Sequence, residues 1–162
     1  MTREDFLTCF GPVFENRPDL AEAVWAGGPD CRSAEALQAG FVAVLRSLRD
    51  EALTAFLNGH PDLAGALLAR GAVTADSAKE QGSAGLDALD AAGRARFLAL
   101  NAAYRARFGF PFIMAVRGRG AAEILASFEA RLGRDAATER AEAVRQIERI
   151  LLLRLQDRFG AA

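Results

Sequence analysis

The sequence predicts an all-α protein, a single multi-helix domain over residues 1–162 with one extended segment near residues 110–116. Three observations support this prediction. Apolar residues recur at helical spacing along most of the chain. Residues that favour helix starts precede many of these stretches, and glycines follow them. The length of 162 residues, with 51% hydrophobic and 25% charged side chains, suits one globular domain with its own core.

Residues typical of helix ends justify the predicted bounds. In chain order, the predicted helices cover residues 2–10, 18–26, 33–48, 50–57, 61–70, 77–81, 87–108, 123–132 and 136–159. Thr2 and Ser33 are common N-cap residues, and Pro18 and Pro61 suit the first helical position. Asn58–Gly59 predicts a left-handed stop for the fourth helix. Later helices are closed by Gly71, Gly109 and Gly133.

The segment from Phe110 to Val116 departs from the helical pattern. Its residues favour strands, but no partner strand is predicted elsewhere. A lone extended segment leaves backbone N–H and C=O groups without a ladder, so they must pair with side chains, water or a ligand. A well-packed loop and a ligand-binding segment both fit this pattern.

Charge and motif content argue against several classes of function. The net charge of −1 argues against a nucleic-acid-binding domain, which usually carries a basic excess. One histidine and two cysteines without CxxC spacing give no ligand set for zinc or haem. Neither a signal peptide nor an apolar run of about 20 residues is seen. We therefore expect a cytoplasmic protein that does not bind a membrane or a metal.

His60, the only histidine in the chain, is the first candidate for acid–base chemistry. Imidazole titrates near neutral pH, which makes histidine the usual proton-transfer side chain of enzymes. Pro61 restricts the backbone of His60 to extended conformations. At the predicted helix start, this places the side chain near the N-cap, beside the positive end of the helix dipole. A histidine that only caps a helix is the alternative.

The motif Ser77-Ala78-Lys79-Glu80-Gln81 is the second candidate. Serine followed three residues later by glutamate matches a capping box, which alone would explain Ser77 and Glu80. Gln81 is not needed for the box. An amide beside a carboxylate offers donors and acceptors to a urea-like or imide-like ligand. The motif therefore predicts either a helix start or part of a binding site.

Arg154 interrupts the apolar stripe of the last predicted helix, where helical spacing projects it between Ile147 and Ile150. A buried arginine needs an anionic partner or dense hydrogen bonding. Arg154 is therefore a ligand-binding cation, half of a structural ion pair, or a snorkelling side chain. We expect Arg154→Leu to spare or raise stability, because the stripe would gain an apolar residue. Asn101, a polar residue on another apolar face, is expected to bond a neighbouring loop.

In order and spacing, these residues resemble a known family. The chain is similar to 2-oxo-4-hydroxy-4-carboxy-5-ureidoimidazoline (OHCU) decarboxylase, a carboxy-lyase that forms (S)-allantoin in urate degradation. The matching motifs are His60-Pro61, Ser77-x-x-Glu80-Gln81, Asn101-x-x-Tyr104-x-x-x-Phe108-Gly109-Phe110-x-Phe112-Ile113 and Arg154-Leu155. Each motif is short, but the resemblance covers nearly the whole chain, including the region of Phe14-Glu15 and Pro18. Ala115 departs from the family, in which many members carry cysteine.

The resemblance implies a helical homodimer that acts on a small anionic ureido-imidazoline without a metal or organic cofactor. It implies that His60 is the catalytic acid–base residue. The substrate-binding residues that it implies are Pro61, Ser77, Glu80, Gln81, Phe112, Ile113, Met114, Ala115, Val116 and Arg154. The extended segment would then bind the substrate through its backbone, and Arg154 would be a cation of the pocket.

Two other functions are compatible with the same residues. A non-catalytic helical interaction module would leave His60, Glu80 and Arg154 facing different directions. A related helical enzyme would use a similar pocket for another ureide or imide.

Overall fold

Helix caps place most of the helices where the sequence predicts them. The structure is a computed structural model that describes residues 1–160, without the side chains of residues 67 and 69. Its helices are α1 (Arg3–Phe10), α2 (Pro18–Ala26), α3 (Ala34–Ser47), α4 (Asp50–Asn58), α5 (Ala66–Ala69), α6 (Ala75–Ser83), α7 (Ala91–Phe108), α8 (Ala121–Leu132) and α9 (Ala136–Gly160). No strand occurs within residues 1–160, and residues 111–116 form no regular secondary structure. The all-α prediction is confirmed.

The predicted caps at Thr2, Ser33 and Gly109 are confirmed. Thr2 and Asp5 form a reciprocal capping box at the start of α1, and the Ser33 hydroxyl accepts the backbone N–H of Ala36. Gly109 closes α7 with φ +77°, a left-handed conformation that favours glycine. This turn ends α7, and the chain then enters the extended segment.

Two predictions around His60 are wrong. Gly59 closes α4 in the right-handed region, with φ −72°, so it is not a left-handed stop. No helix starts at Pro61. Residues 62–65 form a turn instead, closed by a hydrogen bond of 3.2 Å from Gly65 N to Asp62 O. Of the helix predicted over residues 61–70, only the four residues of α5 are helical. His60 is therefore not the N-cap of a helix.

Helix α6 begins earlier than its motif predicts. Thr74 caps it, with its hydroxyl accepting the backbone N–H of Ser77 at 3.3 Å. Ser77 and Gln81 lie one turn apart inside the helix and are both buried. Ser77 is therefore not the N-cap, and the capping-box explanation of the motif is wrong.

The described chain divides into two units of dense internal contact. One unit contains residues Met1–Gly59 and the part of α9 from Glu148 onward. Its core is rich in phenylalanine, and the rings of Phe14 and Phe41 stack with centroids 4.8 Å apart. Fully buried side chains of this unit include Phe6, Phe14, Leu37, Phe41, Leu45, Phe56, Leu57 and Leu155.

The second unit runs from His60 to Ile147 and contains α5 to α8 and the first half of α9. Its core forms around Tyr104 on α7, whose ring meets Phe112 and Phe128 edge-on. Phe112 stacks on Phe128 with centroids 3.9 Å apart and an interplanar angle of 10°. The extended segment thus supplies part of this core, and burial holds it in place without a sheet.

Candidate active site

His60 begins an irregular loop, residues 60–65, that we call the His60 loop. His60 is half-buried, as are Pro61 and Asp62. Leu63, Ala64 and Gly65 are buried. The loop thus combines one partly exposed end, which carries the predicted acid–base residue, with a buried end.

The turn in this loop has an unusual backbone. Ala64 has φ +51°, a left-handed conformation that costs a non-glycine residue on the order of 1 kcal/mol. A Cβ on Gly65 would lie 2.9 Å from the Cβ of Asp62, so only glycine fits there. Positive φ at the third position of a turn is the mark of type II. Glycine or asparagine is the usual residue at that position, so contacts from outside the loop must hold alanine there.

Three side chains from α6 and α7 hold the His60 loop. The Asn101 amide nitrogen donates to the carbonyl of Leu63 at 2.9 Å. The Gln81 carboxamide oxygen accepts the N–H of Ala64 at 2.8 Å. Arg105 donates to the Asp62 carboxylate at 2.8 Å. The prediction that Asn101 bonds a neighbouring loop is confirmed, and Gln81 joins α6 to the loop that starts at His60.

Residues Ser77, Glu80 and Gln81 take different levels of burial on α6. Ser77 and Gln81 are buried, whereas Glu80 is half-buried. Among these three residues, Glu80 is therefore the most exposed. The structure brings His60, Pro61 and the α6 motif into one unit of the molecule.

The extended segment lies in the same unit, and side chains satisfy part of its backbone. Arg131 on α8 donates through Nη1 to the carbonyl of Ile113 at 2.8 Å. The N–H of Ala115 donates to the carboxamide oxygen of Gln146 on α9 at 3.0 Å. The backbone N–H of Arg119 donates to the carbonyl of Val116 at 3.0 Å. The segment is thus a well-packed loop, and its role in ligand binding stays a prediction.

Arg131, Tyr104 and Glu139 form a buried polar network that contacts the extended segment at Phe112. The Arg131 guanidinium lies over the Phe112 ring, 4.3 Å from its centroid. Arg131 Nε and the Tyr104 hydroxyl both donate to Glu139 Oε1, at 2.7 Å and 2.5 Å. Burial and the hydrogen bond to the Glu139 carboxylate raise the pKa of Tyr104 above its usual range. A neutral phenol is therefore built into this core.

Sequence reasoning missed Arg131 and Glu139, although the signal that found Arg154 applies to both. Arg131 lies at helical spacing from Ile124 and Phe128 on α8, so it interrupts an apolar stripe. Glu139 precedes Ala143 and Ile147 at intervals of four on α9. A charged residue on an apolar stripe predicts a buried ion pair. When two helices each carry one such residue of opposite charge, the two are candidates to pair with each other.

Arg154 lies in the other unit, on the second half of α9. It is 2% exposed, and Nη1 donates to Glu15 Oε2 at 2.6 Å and to the carbonyl of Val13 at 3.2 Å. Glu15 is buried too, and its backbone has φ +59°. The ion-pair interpretation of Arg154 is confirmed, and its role in ligand binding stays a prediction.

Clusters of metal-ligating side chains and membrane-spanning helices are both absent from the described residues. Among residues 1–160, no three histidine, cysteine or carboxylate side chains come together as a metal-ligand set. In the same range, none of the helices has the length and apolar character of a bilayer-spanning segment. Cys9 and Cys31 are free thiols, and burial raises the pKa of Cys31.

Solved structures share the fold of this chain. A structure described as the crystal structure of (S)-allantoin synthase superposes with a TM-score of 0.75 at 24% identity, covering 98% of this chain and 51% of its own. Another, OHCU decarboxylase in the presence of (S)-allantoin, gives a TM-score of 0.71 at 17% identity, covering 98% of this chain and 99% of that one. Both likenesses concern the fold.

Sequence comparison goes further than the fold. The sequence model of OHCU decarboxylase matches residues 1–156. A 2-oxo-4-hydroxy-4-carboxy-5-ureidoimidazoline decarboxylase from Amia calva is 43% identical over 97% of this chain and 89% of its own length. The Mus musculus protein of the same name is 39% identical over 97% of this chain and 88% of its own. This chain belongs to the OHCU decarboxylase family.

Proposed function

We propose that this protein is a carboxy-lyase that converts OHCU to (S)-allantoin in urate degradation. The observation that carries the proposal is the family match over residues 1–156, which takes in His60 at the head of a loop bound to α6 through Gln81. His60 is the only imidazole available for proton transfer. The match spans both contact units, which supports treating residues 1–162 as one functional domain.

The proposed reaction breaks one C–C bond of an anionic substrate. The carboxylate leaves as CO2. The electron pair that remains on the ring carbon delocalises over the same carbonyl-bearing ring. A proton added to that carbon from one face gives a single enantiomer of allantoin. His60 would assist by proton transfer at the reacting centre, and donors around the ring would stabilise the developing oxyanion.

The other proposed site residues would bind and orient the substrate. Glu80 and Gln81 would hold the ureido arm and ring, with Pro61 and Ser77 beside them. Because the Gln81 oxygen accepts from Ala64, the amide nitrogen is the part of Gln81 that we assign to a substrate oxygen. The backbone of residues 112–116 would line the pocket, and Arg154 would contribute a cation.

We also propose a cytoplasmic homodimer that needs no metal or organic cofactor. The family resemblance supports the dimer and the absence of a cofactor, and the nearly balanced charge gives no reason to add a nucleic acid as partner. Sedimentation of the purified protein tests the dimer, and activity after dialysis against a chelator tests independence from metal.

The test of the function is an assay with freshly generated substrate. Uricase and hydroxyisourate hydrolase supply OHCU, and circular dichroism follows the optically active product. We expect the purified chain to accelerate the formation of (S)-allantoin. If the rate and optical activity match the spontaneous decay, the decarboxylase assignment is wrong and another ureide or imide becomes the substrate to seek.

His60→Asn tests the catalytic role of the imidazole. General acid–base catalysis contributes about 10²- to 10⁴-fold, so we expect kcat to fall by about that factor. His60 is half-buried and caps no helix, so the thermal unfolding midpoint should change little. A variant that retains the kcat of the wild type would remove His60 from the mechanism.

A further inference from the structure

One peptide group in the His60 loop is held on both of its polar atoms. The carbonyl of Leu63 and the N–H of Ala64 belong to the same peptide unit. The Asn101 amide donates to the carbonyl at 2.9 Å, and the Gln81 carboxamide oxygen accepts the N–H at 2.8 Å. All four residues are buried, and the two amides are only 4% and 2% exposed. Solvent therefore does not compete with either hydrogen bond.

The held peptide is the one that decides the type of the turn. It links the second and third residues of the turn from Asp62 to Gly65, and its orientation distinguishes type I from type II. Alanine at the third position favours type I, which keeps φ negative. The observed φ of +51° at Ala64 requires the other orientation. The two amide hydrogen bonds supply the preference that the alanine lacks.

Local restraints limit the chain between this peptide and His60. Pro61 has a fixed φ and restricts the backbone of the preceding His60. The Asp62 carboxylate accepts from Arg105, and the Asp62 carbonyl closes the turn with Gly65 N. The ring of Pro61 and the two bonds of Asp62 thus restrain the chain between the held peptide and His60.

We propose that Asn101 is a positioning residue for catalysis, which, together with Gln81, holds the Leu63–Ala64 peptide in the orientation that places His60 against the substrate. The inference rests on the proposed function of His60. Asn101 itself touches the loop, and we assign it no contact with the reacting atoms.

Asn101→Leu, combined with Ala64→Gly, tests this role. Leucine has nearly the shape of asparagine and removes a buried acceptor that has no partner, which offsets the loss of one donor. With the donor gone, the peptide is released and kcat should fall by about 10- to 100-fold, with a smaller change in KM. Glycine at position 64 adopts positive φ without strain. The double variant should therefore recover much of the lost kcat.

Leu100→Ala is the matched control. Leu100 is buried on the same helix, so its truncation destabilises α7 packing without removing a bond to the loop. We expect a lower unfolding midpoint and an unchanged kcat. If Leu100→Ala lowers kcat as much as Asn101→Leu, or if Ala64→Gly restores nothing, Asn101 has only a structural role.

Nuclear magnetic resonance separates failure of the clamp from failure of the proposed function. In Asn101→Leu, the Ala64 amide should exchange faster with solvent, and the resonances of the single imidazole should move, whatever the substrate is. An unchanged Ala64 exchange rate would overturn the clamp even in an active enzyme. Altered exchange in a protein without decarboxylase activity would overturn the catalytic assignment and leave the clamp standing.

Discussion

At the scale of single residues, the cores contain ion pairs whose charges are buried. Arg154 pairs with Glu15, and Arg131 pairs with Glu139, in separate units of the molecule. Each pair removes both charges from water, so the attraction must offset a large loss of hydration. Removal of one partner is therefore far more costly than removal of both.

The Glu15 partner reverses the expectation for Arg154→Leu. The sequence alone predicts that leucine spares or raises stability, but the substitution leaves the Glu15 carboxylate buried without its cation. We expect a loss of about 3–5 kcal/mol in the free energy of unfolding. Denaturant titration of purified protein measures it.

Glu15→Gln in the same chain is the control. Glutamine keeps the shape of the side chain and removes the uncompensated charge, so Arg154→Leu with Glu15→Gln should be more stable than Arg154→Leu alone. Wild-type stability in the single variant would mean that the ion pair contributes nothing. Kinetics of the double variant then report any separate role of Arg154 in substrate affinity.

At the scale of elements, the ends of helices determine where the chain can leave regular structure. Glycines follow both α7 and α8, but they differ in conformation. Gly109 has φ +77°, whereas Gly133 has φ −82°. The sequence marks both as helix stops, and only the backbone geometry tells them apart.

Gly109→Ala and Gly133→Ala form a matched pair. No atom lies within 4 Å of a Cβ at Gly109, so its cost is purely conformational, about 1–2 kcal/mol of unfolding free energy. At Gly133 a Cβ makes an ordinary contact, 3.7 Å from Ala130 O, in an allowed conformation. That variant should be neutral or more stable by up to about 1 kcal/mol. Equal effects in the two variants would contradict the left-handed cap at Gly109.

Prediction of elements succeeded where local chemistry decides. The starts of α1, α2 and α3 follow from Thr2, Pro18 and Ser33, because each acts on backbone groups within its own first turn. It failed at Pro61, where the sequence has an equally good start. There, Asn101, Gln81 and Arg105 bond the loop from distant positions in the chain, and no local rule contains them.

At the scale of the whole molecule, the single tyrosine links the core to alkaline stability. Burial, followed by the hydrogen bond to the Glu139 carboxylate, raises the pKa of Tyr104 in the folded protein. The unfolded chain loses the same proton above about pH 10. The folded state therefore binds more protons at high pH, and stability falls as pH rises through and above about 10.

Absorbance of tyrosinate and circular dichroism of the helices, followed together, test this linkage. Because Tyr104 is the only tyrosine, the absorbance has a single source. We expect tyrosinate to appear only as the helical signal is lost, whereas in urea it should appear near pH 10. Tyr104→Phe should lack the signal and weaken the dependence of stability on alkaline pH. Tyrosinate in a protein that is still fully helical would contradict the buried network.

By itself, the sequence determined the helical class, most helix starts, the lone extended segment and the family, with His60 as candidate. These follow from short-range spacing of apolar, capping and motif residues. Only the tertiary structure showed that Gln81 and Asn101 hold one peptide of the His60 loop, that Arg131 and Gln146 satisfy the backbone of the extended segment, and that Glu15 pairs with Arg154. Such contacts join residues far apart in the chain, and their energies depend on burial that no local pattern specifies.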